Sequence, residues 1–255
     1  SSNIEKLRSI ISSNTEYQIY KIIVGYDYEF SDELNWEDVD KLRKARIQEF
    51  IDGINEGTFT EWQKRVLSVV KNYPVIGIGE FQYLNMFLFE VGRQKPDFAL
   101  MLIRQNENEL EPFLIHLIAG LWKGSSSESA KDILSKWIAE GKRLSVCASL
   151  FEYVEEVDIS LLKKIYKRAI KANDADAFCH IISAIAQNYP KYKNLKLIFI
   201  GVTKKLTELK KDQATKGAPF EPEKIFGKDP LFHFARAFLE LEKTTQPVKP
   251  GEPLT

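Results

Sequence analysis

The chain has 255 residues, of which 44% are hydrophobic and 12% aromatic, a composition that excludes disorder throughout and allows a substantial core. Its 36 basic residues balance 36 acidic ones, which excludes a global electrostatic attraction to nucleic acid or to an anionic membrane. Only two cysteines are present, which excludes a disulfide framework, and no apolar run is long enough to span a membrane, so we expect a soluble, cytoplasmic protein.

The first 57 residues are predicted to form a helical N-terminal cap. One helix is predicted over residues 3–24 and another over residues 36–55. A strongly acidic segment with no lysine or arginine joins them; its acidic residues are Asp27, Glu29, Asp32, Glu33, Glu37, Asp38 and Asp40. This segment is either a solvated loop and helix start or a binding element. Because the chain begins at Ser1 without a methionine, we expect a processed chain or a domain of a larger protein.

Residues 58–211 contain an internal repeat with a period near 32 residues. Each repeat has two segments. In each segment the spacing of the apolar residues puts their side chains on one face of a helix. Equivalent positions are Val66, Phe98, Ala130 and Leu162 in the first segments, and Met86, Ile118, Leu150 and Ile182 in the second segments. Leu197 and Ile198 extend two first-segment columns. Two more second-segment columns hold Tyr83, Ile115, Cys147 and Cys179, and Phe89, Leu121, Tyr153 and Ile185, and Gln82 is the one polar residue in the second-segment columns. The repeat therefore predicts about four helix pairs.

Residues at the boundaries between the repeats are of the types that begin helices. In a capping box, a polar side chain satisfies an orphan amide at the helix entrance. This spacing occurs at Thr58 and Glu61, at Asn108 and Glu111, and at Ser125 and Glu128. Asp158 and Asp174 suit N-cap positions, and Pro96 and Pro112 suit first turns.

A helix pair exposes an apolar face that it cannot cover alone, so neighbouring pairs must stack. The predicted fold class is therefore all-α, an α-solenoid of stacked antiparallel helix pairs. Over Thr58 to Lys211 the chain resembles, in general terms, the irregular HEAT-like or armadillo-like solenoid class, with a period shorter than is usual for HEAT units. The resemblance implies long surfaces for recognition of a protein partner.

The C-terminal part is predicted to close the stack. Residues 212–243 are predicted to be a loop rich in glycine, proline and charge, followed by a helix from Pro230 to Lys243. One face of that helix carries Leu231, Phe234, Phe238 and Leu241. Residues 244–255 are predicted to be a flexible tail, because they are rich in proline and poor in apolar side chains.

The first candidate binding surface is the face of the second helices that lies opposite their core columns. Its residues are Leu84, Leu88, His116, Lys123, Glu152, His180 and Gln187. Gly120 and the small residues at positions 148 and 184 would leave a groove for an extended partner. Alternatively, the terminal segments of the chain cover this face and make it part of the core.

The second candidate surface is a basic patch on one predicted helix, formed by Lys163, Lys164, Lys167, Arg168 and Lys171. It lies in a region, residues 160–216, that has 13 basic and 4 acidic residues, so the neutral total conceals a basic C-terminal half. The patch is either an ordinary solvated face or a surface for nucleic-acid phosphates or an acidic protein.

The sequence carries no strong catalytic motif. It has no phosphate-cradling Gly-Lys-Ser/Thr loop, no His-Glu-x-x-His and no Cys-x-x-Cys pair. Cys147 and Cys179 occupy equivalent core positions, which favours buried thiols over a redox pair. His116 and His180 are two repeats apart. In a stack of helix pairs this separates them by roughly 20 Å, which is too far for both to bind one metal ion. We therefore expect no cofactor and no metal.

Three functions remain open from the sequence. The first is a non-catalytic scaffold or regulatory module that binds another protein or another domain of the same polypeptide. The second is a nucleic-acid-binding HEAT-like protein that uses the basic C-terminal half, including a role that resembles DNA-repair glycosylases. The third is a helical domain attached to an enzyme encoded upstream. We expect no membrane partner in any of these cases.

Overall fold

The computed structural model describes residues 3–6, 15–24, 36–72, 82–188 and 195–215. Every regular element within these ranges is helical and none is a strand, which confirms the all-α prediction. The chain divides into two compact units, residues 1–130 and residues 131–255. Within the described ranges, no helix is both long enough and apolar enough to cross a membrane.

Short helices account for nearly all of the described residues. After a helical turn at residues 3–6, unit 1 contains α1 (Thr15–Ile23), α2 (Trp36–Asp52), α3 (Phe59–Asn72), α4 (Gln82–Gln94), α5 (Pro96–Asn106), a 3₁₀ turn (Glu111–Phe113) and α6 (Leu114–Lys123). Helix α7 (Ser127–Glu140) begins in unit 1 and continues into unit 2. Unit 2 then contains α8 (Leu144–Tyr153), α9 (Ile159–Ala172), α10 (Ala175–Asn188) and α11 (Lys196–Thr215).

Some predicted terminal features can be compared with these bounds. Residues 212–215, which the sequence assigns to a loop, continue α11, so the predicted loop start is wrong. The predicted closing helix, the predicted tail and the acidic residues between positions 25 and 35 lie outside the described residues. Glu37 and Asp38 lie in the first turn of α2, where carboxylates are favoured by the helix dipole.

Local chemistry explains several helix ends. Asp158 accepts a hydrogen bond from the backbone N–H of Leu161 at 2.9 Å, and Asp174 accepts one from Ala177 at 2.9 Å, so both predicted N-caps are present. Pro96 opens α5 as predicted. The predicted box at Asn108 opens a 3₁₀ turn rather than an α-helix.

The buried face of α4 differs from the prediction. Its buried residues are Leu84, Phe87, Leu88, Val91 and Gly92. Gln82 is exposed, and Tyr83, Met86 and Phe89 are only partly buried, so the predicted second-segment columns are wrong for this helix. The cause is tertiary, because α4 turns Leu88 and Gly92 inward where it packs closely against α6.

In unit 2, the core forms where α8 packs against α10 and where α9 and α11 pack beside α10. Leu150 and Ile182, both predicted as core, are buried, whereas Tyr153 at the end of α8 is exposed against prediction. Ile198 is buried as predicted, but Leu197 is 78% exposed. The reason is that α11 turns Ile198, Phe199 and Val202 inward, which leaves Leu197 on its outer face.

Candidate functional site

The predicted groove is filled in unit 1. Leu84 and Leu88 are fully buried and His116 is only 8% exposed, so none of these three side chains lines an open surface. They lie on the helices α4 and α6, which pack directly against each other. The groove prediction is therefore wrong for these three residues, and the alternative of a core position holds. Helix α6 packs against α4, and α1 and α2, which belong to the predicted N-terminal cap, also contact α4.

Glycines explain why α4 and α6 pack so closely. A Cβ atom added to Gly120 would overlap the carbonyl oxygen of Phe89, and one added to Gly92 would overlap that of Leu117. The sequence predicted that Gly120 leaves room for an extended partner. The approaching backbone belongs to this chain, so Gly120 serves packing and does not receive a partner.

In unit 2 the same predicted face joins α8 to α10. The imidazole Nδ1 of His180 lies 2.7 Å from Oε1 of Glu152, and an ionised carboxylate can only accept in this hydrogen bond. The His180 side chain is 41% exposed and that of Glu152 is 21% exposed, while the small residues Ala148 and Ala184 are fully buried. Lys123 in unit 1 and Gln187 in unit 2 are exposed. These residues do not line a continuous groove within either unit.

A buried amide strengthens the same helix contact. The Asn188 side chain donates to the carbonyl of Phe151 at 3.3 Å and to that of Ala184 at 2.8 Å. The carbonyl of Phe151 lies in the last turn of α8, where the helix itself offers no partner. Asn188 therefore satisfies a helix end, and no pattern in the sequence indicates this role.

Burial keeps three ionisable side chains of the core neutral, those of His116, Cys147 and Cys179. Burial lowers the pKa of His116 to about 4, so its imidazole is uncharged at pH 7. Burial is also the main reason that the pKa of each thiol, Cys147 and Cys179, is raised to about 12. Neither thiol forms a disulfide and both are buried, as expected of packing residues. Among the residues that the structure describes, no cluster of histidine, cysteine or carboxylate side chains could hold a metal ion.

A cleft of about 670 Å³ lies between α7 and α9 in unit 2. Its lining residues are Ser135, Ile138 and Ala139 from α7, and Lys164, Lys167, Arg168 and Lys171 from α9. Four of the five residues predicted as a basic patch therefore meet at one concave surface. Lys163, the fifth, is exposed on the same helix but does not line the cleft. We call this surface the lysine cleft.

The two walls of the lysine cleft are fixed by packing and by one hydrogen bond. Leu162, Ile165 and Ala169 of α9 are buried, which directs the intervening cations outward. The guanidinium of Arg168 donates to the carbonyl of Ala139 in the last turn of α7. That carbonyl has no partner within its own helix, and a cation at this end is favoured by the helix dipole. Arg168 therefore joins the walls.

The lysines of the cleft keep an unbalanced positive charge. Within the described residues, neither Lys163 nor any of the three cleft lysines forms an ion pair. Glu140, which follows Ala139 on α7, pairs with Lys142 at 3.0 Å. No acidic side chain lines the cleft. The arrangement can attract and hold an anionic ligand.

Comparisons of this chain with family models, with curated proteins and with solved structures found no match.

Proposed function

We propose that this chain is a non-catalytic binding module that holds an anionic protein partner at the lysine cleft. One observation carries the proposal: Lys164, Lys167 and Lys171 converge on a concave surface without a carboxylate to neutralise them. Repulsion among the clustered lysines lowers the stability of the folded chain, and a bound anionic partner would remove that repulsion. The proposed partner is another protein or another domain of a longer polypeptide.

We further propose that the module is built from helix-pair repeats of the HEAT-like or armadillo-like kind. The first-segment column supports this, because all four of its residues, Val66, Phe98, Ala130 and Leu162, are buried. Consecutive second helices also pack side by side within each unit, α4 with α6 and α8 with α10. In such a repeat the second helices form the interior, and the first helices, among them α7 and α9, offer outer surfaces for binding.

The function is tested with labelled poly-L-glutamate, which supplies carboxylates without a defined sequence. We expect saturable binding by the full chain at low salt, measured by fluorescence anisotropy. Lys164→Glu with Lys167→Glu should weaken this binding at least about tenfold, because two attractions become repulsions. Unchanged affinity in this double variant would overturn the proposed function.

A matched control separates the cleft from general charge. Lys136 and Lys204 are exposed and do not line the cleft. The variant with Lys136→Glu and Lys204→Glu has the same net charge as the cleft variant and should bind poly-L-glutamate within about threefold of the parent. Equal losses in both variants would show a diffuse charge effect and no cleft site. Circular dichroism and thermal unfolding establish that both variants are folded.

Nucleic acid is the second candidate partner, supported by the 13 basic residues between positions 160 and 216. If four cleft cations replaced counterions on duplex DNA, the logarithm of the binding constant would fall with the logarithm of salt with a slope of about −3.6. Duplex binding that is tighter than poly-L-glutamate binding, with that slope, would favour this candidate. A form that resembles DNA-repair glycosylases would need aromatic and acidic side chains beside the basic residues, whereas Trp137 is buried and Glu152 bonds His180.

A further inference from the structure

The lysine cleft has two chemically different walls. The α9 wall is cationic, whereas the α7 wall presents the exposed Ala139 and Ser135, with Ile138, which is only 4% exposed, at its base. The stems of the lysines add further apolar surface beneath their charged ends. No aromatic side chain lines the cleft. A ligand that fits both walls must therefore combine negative charge on one side with a small apolar group on the other.

We propose that the cleft binds an extended acidic peptide in which carboxylate and aliphatic side chains alternate. Successive side chains of an extended chain point to opposite sides, so the carboxylates would face α9 while the aliphatic groups contact Ile138 and Ala139. Lys164 and Lys171 are seven residues apart on α9, or about 10 Å along its axis. Carboxylates two residues apart on an extended peptide lie on the same side and about 7 Å from each other, so two of them fit within that distance.

The same features disfavour single-stranded nucleic acid as the occupant. Proteins that hold single strands stack the bases on aromatic side chains, and the lining of this cleft offers none. Arg168 already donates to Ala139, which leaves the flexible lysines as the main ligands for charge. Lysine ends suit separate carboxylates, because each ammonium group acts as a compact point charge.

Two peptides of equal charge test this inference, which rests on the proposed function. The probes are fluorescein-labelled Glu-Leu-Glu-Leu-Glu and Glu-Gly-Glu-Gly-Glu, titrated with the full chain and followed by anisotropy. We expect the leucine peptide to bind about tenfold more tightly, because partial burial of its leucines against α7 adds to the charge attraction. Equal affinities would overturn the inference.

Variants of the apolar wall identify where the leucines lie. Ile138→Ala should reduce the preference for the leucine peptide to about twofold or less while leaving the affinity for the glycine peptide nearly unchanged. Because Ile138 is buried and its truncation could unfold the unit, Ala139→Gln serves as a second variant at an exposed position without a change of charge. A preference unaffected by Ala139→Gln and by a folded Ile138→Ala would overturn the inference.

A charge control on the same helix completes the test. Lys167→Glu should weaken both peptides at least about tenfold, whereas Lys163→Glu, outside the cleft, should weaken them about threefold or less. Failure of the proposed function can be told apart from failure of this inference alone. If the proposed function is wrong, poly-L-glutamate will not bind at the cleft either. Binding of poly-L-glutamate without a leucine preference would leave that function and remove only this inference. Tighter binding of an oligothymidylate of equal charge would overturn the peptide ligand.

Discussion

At the scale of single residues, His116 couples the stability of the chain to pH. Its folded pKa is about 4 because of burial, whereas an unfolded histidine titrates near its ordinary value of 6.5. Between these values the unfolded chain binds more protons, so the free energy of unfolding falls as pH decreases from 6.5 towards 4. We expect His116 to remove about 2 kcal/mol between pH 6.5 and 5, measured by urea unfolding.

The variant His116→Leu isolates this effect from the titration of carboxylates. Leucine fills a similar volume in the core and does not titrate, and the carboxylates contribute equally to both proteins. The stability of the variant relative to the parent should therefore rise by about 2 kcal/mol between pH 7 and pH 5. Parallel pH profiles of the two proteins would show that His116 is not a buried neutral group.

At the scale of helices, the contact between α4 and α6 depends on two glycines. A methyl group at position 120 would overlap the carbonyl oxygen of Phe89, and backbone atoms cannot rotate away as side chains can. Gly120→Ala should therefore force the helices apart and lower the free energy of unfolding by about 1–3 kcal/mol, despite the better helix propensity of alanine. Urea unfolding measures the change.

Gly53→Ala is the control for that substitution. A Cβ atom at position 53 would lie 3.4 Å from the carbonyl oxygen of Phe50, a distance near ordinary contact. This variant should be neutral or gain up to about 1 kcal/mol, because alanine restricts the unfolded chain more than glycine does. If Gly120→Ala behaved in the same way, the close packing of α4 on α6 would be contradicted.

The helices illustrate which features a sequence reveals and which it does not. The N-caps of α9 and α10 were predictable, because Asp158 and Asp174 bond amides only three residues away. The buried face of α4 was not predictable from the sequence. It depends on where Gly92 contacts α6, and apolar residues occur on more than one side of α4. Whether a residue of α4 is buried therefore depends on the helix packed against it, which the local sequence does not specify.

At the scale of the whole molecule, the sequence predicts the basic residues of the candidate site but not the apolar wall that faces them. The spacing of Lys164, Lys167, Arg168 and Lys171 places them on adjoining turns of one helix, which the sequence shows directly. Their convergence with Ile138 and Ala139 depends on the position of α7 beside α9, where Arg168 bonds the carbonyl of Ala139, and no local pattern encodes that position. Charge was therefore visible in the sequence, whereas the apolar wall that suggests a ligand was not.

The proposed repeat makes a prediction that involves both units. The proposed repeat assigns Ile118 in unit 1 and Leu150 and Ile182 in unit 2 to the same position, and all three are buried. Truncation of each to alanine should lower the free energy of unfolding by about 2–5 kcal/mol, because each leaves a cavity in a packed core. Leu197→Ala is the control, since this predicted core residue is 78% exposed and its loss should cost less than about 0.5 kcal/mol. A near-neutral result at any of the three would contradict the repeat over α6, α8 and α10. Met86, the predicted equivalent in α4, is only partly buried and falls outside this prediction.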